Sequence, residues 1–358
     1  MLPASVFAAG LCFQVAVAQN ENKAPSSCEA CHAQQAMAQP KTAMARALRF
    51  ASSDPLFQTS HDLTFQKGKF TYKIARENDG KVLYSVTDGA DTLSVPVQYV
   101  MGAGSRTFVI EHHGALYESL VSYFPRIDGL DTTIGDQDVD PRSLTEAMGR
   151  ELTRHESTAC FGCHATGAVS GQQLRLTSFF PGVTCAHCHA GAGEHVAALT
   201  SGKPGITPPK LNRLSSEEIS TLCGQCHRTW ETVVRNRWRG PINVRFQPYR
   251  LANSRCFDGV DSRMSCIACH DPHQEVVHEE KAYDSKCLAC HSASAKPSAG
   301  MLARHTDLPA SKVIMTSCPI GKEKCVSCHM PKVDLPGAHL TFADHDIRVV
   351  HPGESYPN

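Results

Sequence analysis

Seven times along this 358-residue chain, two cysteines separated by two residues are followed at once by a histidine. The sets are Cys28, Cys31 and His32; Cys160, Cys163 and His164; Cys185, Cys188 and His189; Cys223, Cys226 and His227; Cys266, Cys269 and His270; Cys287, Cys290 and His291; and Cys325, Cys328 and His329. Two thiols one helical turn apart can each add to a vinyl group of haem, and the next residue then faces the iron as its proximal ligand. The spacing therefore predicts seven covalent c-type haems. At a composition of 17 Cys and 19 His, chance would supply roughly 0.04 copies. A zinc ribbon needs no histidine after each pair, and a thioredoxin-like site occurs once, near a βαβ pattern. Neither rival explains a histidine after all seven.

Twelve further histidines remain: His61, His112, His113, His155, His187, His195, His273, His278, His305, His339, His345 and His351. Any one alone reads as a surface residue, but as a set they exceed what seven sixth positions need. Most haems are therefore expected to be bis-His, with His305 among the candidate distal ligands. A filled sixth position serves electron transfer, whereas an open one permits chemistry.

Some segments resemble the multihaem cytochrome c554 family. Gly182 to His195, with Cys185, Cys188 and His189 inside it, is similar to that family's Cys-x-x-Cys-His-Gly-Pro-Gly-x-x-His segment. The run from Cys266 to His273, the run from Cys325 to Lys332, and His339-x-x-Phe342-x-Asp344-His345 are similar to its later signatures. The resemblance covers the first motif and about 160 to 351. It implies that His195 and His345, with His273 and His339 beside them, are distal ligands of haems whose proximal histidines lie elsewhere. Near the first haem the chain departs from the pattern. Met44 stands where the family tends to have a histidine, so the sixth ligand there is either Met44 or a histidine from elsewhere, His61 being the alternative.

These ligands must be held by something, and the motifs are unevenly placed. One lies at residue 28, none follows until 160, and six crowd between 160 and 329. The gap alternates like strands at 70–74, 82–86, 93–100, 107–111 and 116–123, with a turn signal at Asp79-Gly80. A helix is expected over 143–155, where Ser143 and Glu146 have the form of a capping box. Beyond 160, each haem has fewer than about thirty residues of chain, too few for a conventional core. The predicted fold is thus a multihaem cytochrome: short helices and loops wrapped around a haem core, little regular structure, and a small antiparallel β insertion. The boundaries are a signal peptide over 1–18, a first haem segment over 19–61, a haem-free β domain over 62–127 and a six-haem domain over 128–358.

The first 20 residues lack Lys, Arg, Asp and Glu, and Ala16-x-Ala18 offers a cleavage signal, so the protein is expected to be periplasmic or otherwise exported. Leu11 before Cys12 argues against a lipoprotein, and no later stretch reaches the apolar length of a membrane span. Cys256 and Cys318 are the cysteines left over, as a disulfide or as two separate thiols. The 35 basic and 35 acidic residues balance, which gives no sign of nucleic acid as a partner. Seven arginines between 228 and 255 share their stretch with one acid, Glu231. Propionate pairing is the plainer reading of them, and a funnel for an anionic substrate the other.

The function read from these residues is an exported heptahaem carrier, moving electrons between redox protein partners such as a quinol-side donor and a terminal reductase. Ligand sufficiency favours a carrier over a catalyst. The alternative is an oxidoreductase acting on a small nitrogen or sulfur compound at one open haem.

Overall fold

A computed structural model describes residues 26–59, 62–203, 205, 207–259, 261–292, 318, 320–351 and 353–356. The expected signal segment, His61 and His305 lie outside these residues.

Alternation builds the largest unit. Phe70, Tyr72 and Ile74 are buried on one face of their strand, and Val82, Tyr84 and Val86 on the next, paired so that Tyr72 faces Val86 and Ile74 faces Tyr84. Nine strands result: β1 (Leu48–Phe50), β2 (Leu63–Lys67), β3 (Phe70–Arg76), β4 (Val82–Thr87), β5 (Thr92–Met101), β6 (Arg106–His112), β7 (Ala115–Phe124), β8 (Gly129–Thr132) and β9 (Gly149–Glu151). β2 to β8 pair in order and antiparallel, with β1 added to β5 and β9 to β7. Register shifts within β5 and β6 let the sheet curl. It comes close to shutting on itself, because Lys67 of β2 donates to Thr132 of β8 at 3.5 Å and to the Gln137 carbonyl at 2.9 Å.

This overturns the expected fold class. The β part is no small insertion in a molecule of helices and loops; it is a nine-stranded barrel-like sheet. Phe70, Tyr72, Tyr84, Phe108, Ile110 and Val121 pack inside it with Leu56, Phe57 and Met148, so this half has an apolar core made of side chains. The ladder runs from 48 to 151 because β1 and β9 are three-residue strands, too short to show a period of two.

The helix expected over 143–155 is broken in two. Ser143 caps Leu144–Met148, its Oγ accepting from the Glu146 N–H at 3.2 Å. Gly149, at φ 151°, then ends it, and a Cβ there would run into the Glu118 carbonyl of β7. A full capping box, Thr153 with Glu156, starts the helix Arg154–His164.

The outer face of β5 and β6 holds the second motif. Phe161, between Cys160 and Cys163, is fully buried against Tyr99, their ring centroids 5.2 Å apart and nearly perpendicular, with Leu48, Met101 and Phe179 around it. Gly182 locks the adjoining segments together: it sits at φ 74°, and a Cβ would strike the Ala45 carbonyl oxygen. Gly182→Ala is expected to cost roughly 2–4 kcal/mol through left-handed strain and overpacking, read as a lower denaturant midpoint.

After residue 184 the chain runs mainly in short helices, with one antiparallel hairpin of Lys332–Leu335 and Leu340–Ala343, and the helices carrying motifs at Cys185–Cys188, Cys266–Cys269 and Cys325–His329 bury none of their residues.

Candidate haem-binding site

Each motif is a helical turn that gathers its own ligands. The N–H of the motif histidine donates to the carbonyl of the first cysteine four residues back, at 2.8 Å for His32 and 2.9 Å for His189, His270 and His291. That bond stacks the histidine over the first cysteine, with the second thiol one turn away on the same side.

The turns converge. One continuous cavity of about 3070 Å³ is lined by all seven motifs, the last through Cys325 and His329. A usual small-molecule site encloses about 300–1,000 Å³, so this space suits several large apolar ligands. Motifs distant in sequence meet across it: Cys28 touches Cys185, Cys163 touches Cys226, Cys223 touches Cys266, and Cys287 touches Cys325. The His189 and His273 rings stack at 6.1 Å and 9°. Asp284, in the helix of the sixth motif, accepts from the N–H groups of Lys324 and Cys325 at 2.7 and 2.8 Å and so holds the seventh motif beside it.

The imidazoles are prepared as ligands. Nδ1 of His164 bonds the Ala47 carbonyl at 2.8 Å, that of His329 the Arg348 carbonyl at 2.8 Å, and that of His227 the Gln247 amide oxygen at 3.2 Å. A bond at Nδ1 fixes the tautomer and leaves the Nε2 lone pair for a metal. Burial lowers the pKa of His164, His189, His227 and His270, which favours the neutral, ligating form. Among the described residues, no three His, Cys, Asp or Glu side chains are grouped to hold a bare metal ion.

The expected distal ligands divide. His345 points into the cavity, its ring 6.3 Å from that of His270, its Nδ1 on the Ala343 carbonyl at 3.0 Å, its pKa pushed down to about 4 by burial. His273 lines the cavity too, with Nδ1 on Asp271 at 3.1 Å, and so does His195 on the helix Ala192–Thr200. His339 behaves differently. Its Nε2 bonds Asp131 of the sheet at 2.6 Å, and it packs on Phe124. Met44 lines the cavity in a segment tied to Val183 and, through Ala47, to His164. Cys256 and Cys318 both line the cavity, and no disulfide joins them.

Two features were not singled out in the sequence. His278 also lines the cavity, and a clamp holds His345. Arg250, 1% exposed, donates to both Asp344 oxygens at 2.8 and 2.9 Å and to Asp346 at 3.2 Å, and Arg348 adds a bond to Asp344 at 2.8 Å. The two acids flanking His345 were its signal.

The arginine-rich stretch divides likewise. Arg228 and Arg245 line the cavity near His164, each within reach of the other's charge, and among the described residues neither is paired with a carboxylate. Paired thiols, prepared imidazoles, a large cavity and unpaired cations together fit haem with its propionates. Arg245→Gln should lower one haem midpoint potential, because a cation beside the iron favours the electron-rich state; spectroelectrochemistry measures it.

Comparisons with known proteins agree with this geometry. Residues 136–190 match the sequence model of the family cytochrome c554 and c-prime. Multiheme cytochrome MtrA of Shewanella baltica (strain OS185) is 25% identical over 199 residues, 53% of this chain and 48% of that protein. The chain thus spans about half the length of that relative. In fold, the chain is similar to the outer cell wall cytochrome OcwA, with a TM-score of 0.50, 14% identity, and 91% of this chain and 79% of that one covered. Together with the motifs gathered on one cavity, these likenesses support a multihaem c-type cytochrome that carries covalent haem.

Proposed function

We propose that the protein binds seven haems and passes electrons along them between redox partners of the cell envelope. The observation that carries this reading is the single cavity reached by all seven motifs. Bound there, haem supplies a reversible one-electron change at iron. The chain's own residues attach each group, and bonds at Nδ1 orient the proximal imidazoles of His164, His227 and His329.

Contacts between motifs support a definite order. The first motif meets the third and the second meets the fourth; the fourth meets the fifth, and the sixth meets the seventh. Cys188 of the third motif lies within reach of Cys223 and Cys226, and Cys269 of the fifth within reach of Cys287. The fourth motif is then a junction that joins the second to the rest. His345, His195, His273 and Met44 are proposed as sixth ligands, with His187 and His278, which also line the cavity, among the candidates for the three remaining irons. An exported location is proposed as well: among the described residues no helix is long and apolar enough to cross a membrane, and the structural relative is a cell wall cytochrome. The sheet unit and the haem-bearing remainder are proposed as two domains.

Intact mass after acid and organic extraction should equal the mature chain plus seven haems. Loss of any haem on extraction removes one motif from the set. Carbon monoxide added to the reduced protein should leave its spectrum unchanged; uptake by a fraction of the haem would favour the open-site oxidoreductase.

A further inference from the structure

Three arginines of the rich stretch, Arg235, Arg237 and Arg239, take no part in the cavity wall described above. They are exposed, and among the described residues none is paired with a carboxylate. Trp230 and Val234, four residues apart on one face of the helix Trp230–Arg235, stand 46% exposed beside them, while Val233 faces inward and is buried. The chain has two tryptophans. Both are here: Trp238 is 38% exposed and also lines the cavity, so it stands where the haem space meets the surface.

The backbone is strained to make this face. The helix ends in a Schellman turn, with the Arg237 N–H on the Val234 carbonyl at 3.1 Å and the Trp238 N–H on the Val233 carbonyl at 3.2 Å. The turn puts Arg237 at φ 54°, the left-handed position that glycine ordinarily fills. A side chain kept there against a local cost points to a use for that side chain. The preceding helix, Ser216–His227, carries the fourth motif and ends two residues before this one begins.

We propose that Trp230, Val234, Arg235, Arg237 and Arg239 form the docking face for an acidic electron-transfer protein, which exchanges electrons through the fourth motif. The inference rests on the electron-transfer reading. Apolar side chains within a cationic rim suit a partner that presents carboxylates around its own redox centre. One electron leaves the reduced partner and one ferric haem becomes ferrous, so no further reactant is needed.

The probe is an acidic plant-type [2Fe–2S] ferredoxin, reduced beforehand and mixed with the oxidised holoprotein in a stopped-flow instrument. Its low potential makes it a strong donor. At low salt the second-order rate should fall roughly 10- to 100-fold in the R235E/R237E/R239E variant. The wild-type rate should also drop steeply as added salt cuts the screening length from about 30 Å to about 3 Å. Reduction by photoreduced lumiflavin, small and uncharged, should be the same in both proteins. Arg237→Gly separates docking from folding: relief of the left-handed strain should raise the unfolding midpoint while the ferredoxin rate falls. A wild-type rate indifferent to salt, or a triple variant as fast as wild type, overturns the docking face while leaving the carrier intact. Failure of lumiflavin to reduce the wild-type protein would overturn the carrier reading, and the docking face with it.

Discussion

His345→Ala is expected to keep every covalently attached haem and to lose the low-spin signature of one. Attachment depends on the cysteine pairs of each motif, whereas axial ligation on the distal side depends on a residue brought in from elsewhere. His345 enters the cavity beside His270 with Nδ1 already bonded to the Ala343 carbonyl, so Nε2 is the nitrogen left for iron. The variant should show high-spin ferric bands for about one haem of the set and should bind carbon monoxide there once reduced. Haem content by mass should not change. A variant that stays wholly low-spin removes His345 from the ligands. His339 is a poor substitute, because its Nε2 is already engaged by Asp131.

Arg250→Met is expected to cost about 3–5 kcal/mol, the usual penalty for removing one partner of a buried ion pair. The arginine is fully enclosed, bidentate on Asp344, bonded to Asp346 and stacked 4.6 Å over the Tyr356 ring. Its loss leaves Asp344 with Arg348 as its remaining cationic partner. Ser254 holds the same strand of chain, donating to the His345 carbonyl at 3.0 Å and accepting from the Ile347 N–H at 2.8 Å. The clamp therefore positions His345, and Arg250→Met should produce part of the same high-spin signal with the histidine still present. Arg250→Lys should fall between, since an ammonium reproduces the charge but not the planar two-point bond. Chemical denaturation gives the stability loss, and the ferric spectrum gives the ligation. Lost stability with an unchanged spectrum would make the clamp purely structural.

The two halves of the molecule were legible in the sequence to different degrees. Strands β3 and β4 announce themselves, because Phe70, Tyr72, Ile74, Val82, Tyr84 and Val86 alternate without interruption. The extent of the sheet does not. β1 and β9 join by backbone hydrogen bonds to strands fifty and thirty residues away, and backbone pairing leaves no mark on three residues. The expectation of a small insertion failed for that reason, and the sheet has a side-chain core of its own.

Arginine was the other blind spot. A run of like charges is one object in a sequence and three in space. Arg250 is locked in an ion-pair clamp, Arg228 and Arg245 face the cavity, and Arg235, Arg237 and Arg239 face outward.

What the sequence alone determined is the chemistry that fits within one helical turn. Two thiols and an imidazole at positions i, i+3 and i+4 share a side of the chain wherever a helix forms, so each candidate haem attachment site can be read without knowing the fold. Only the tertiary structure decided which motifs are neighbours, which histidine reaches which cavity wall, and that His339 turns to Asp131 while His345 turns inward. These pairings join residues from tens to two hundred positions apart, and they rest on side-chain packing and on which carboxylate or carbonyl claims each ring nitrogen.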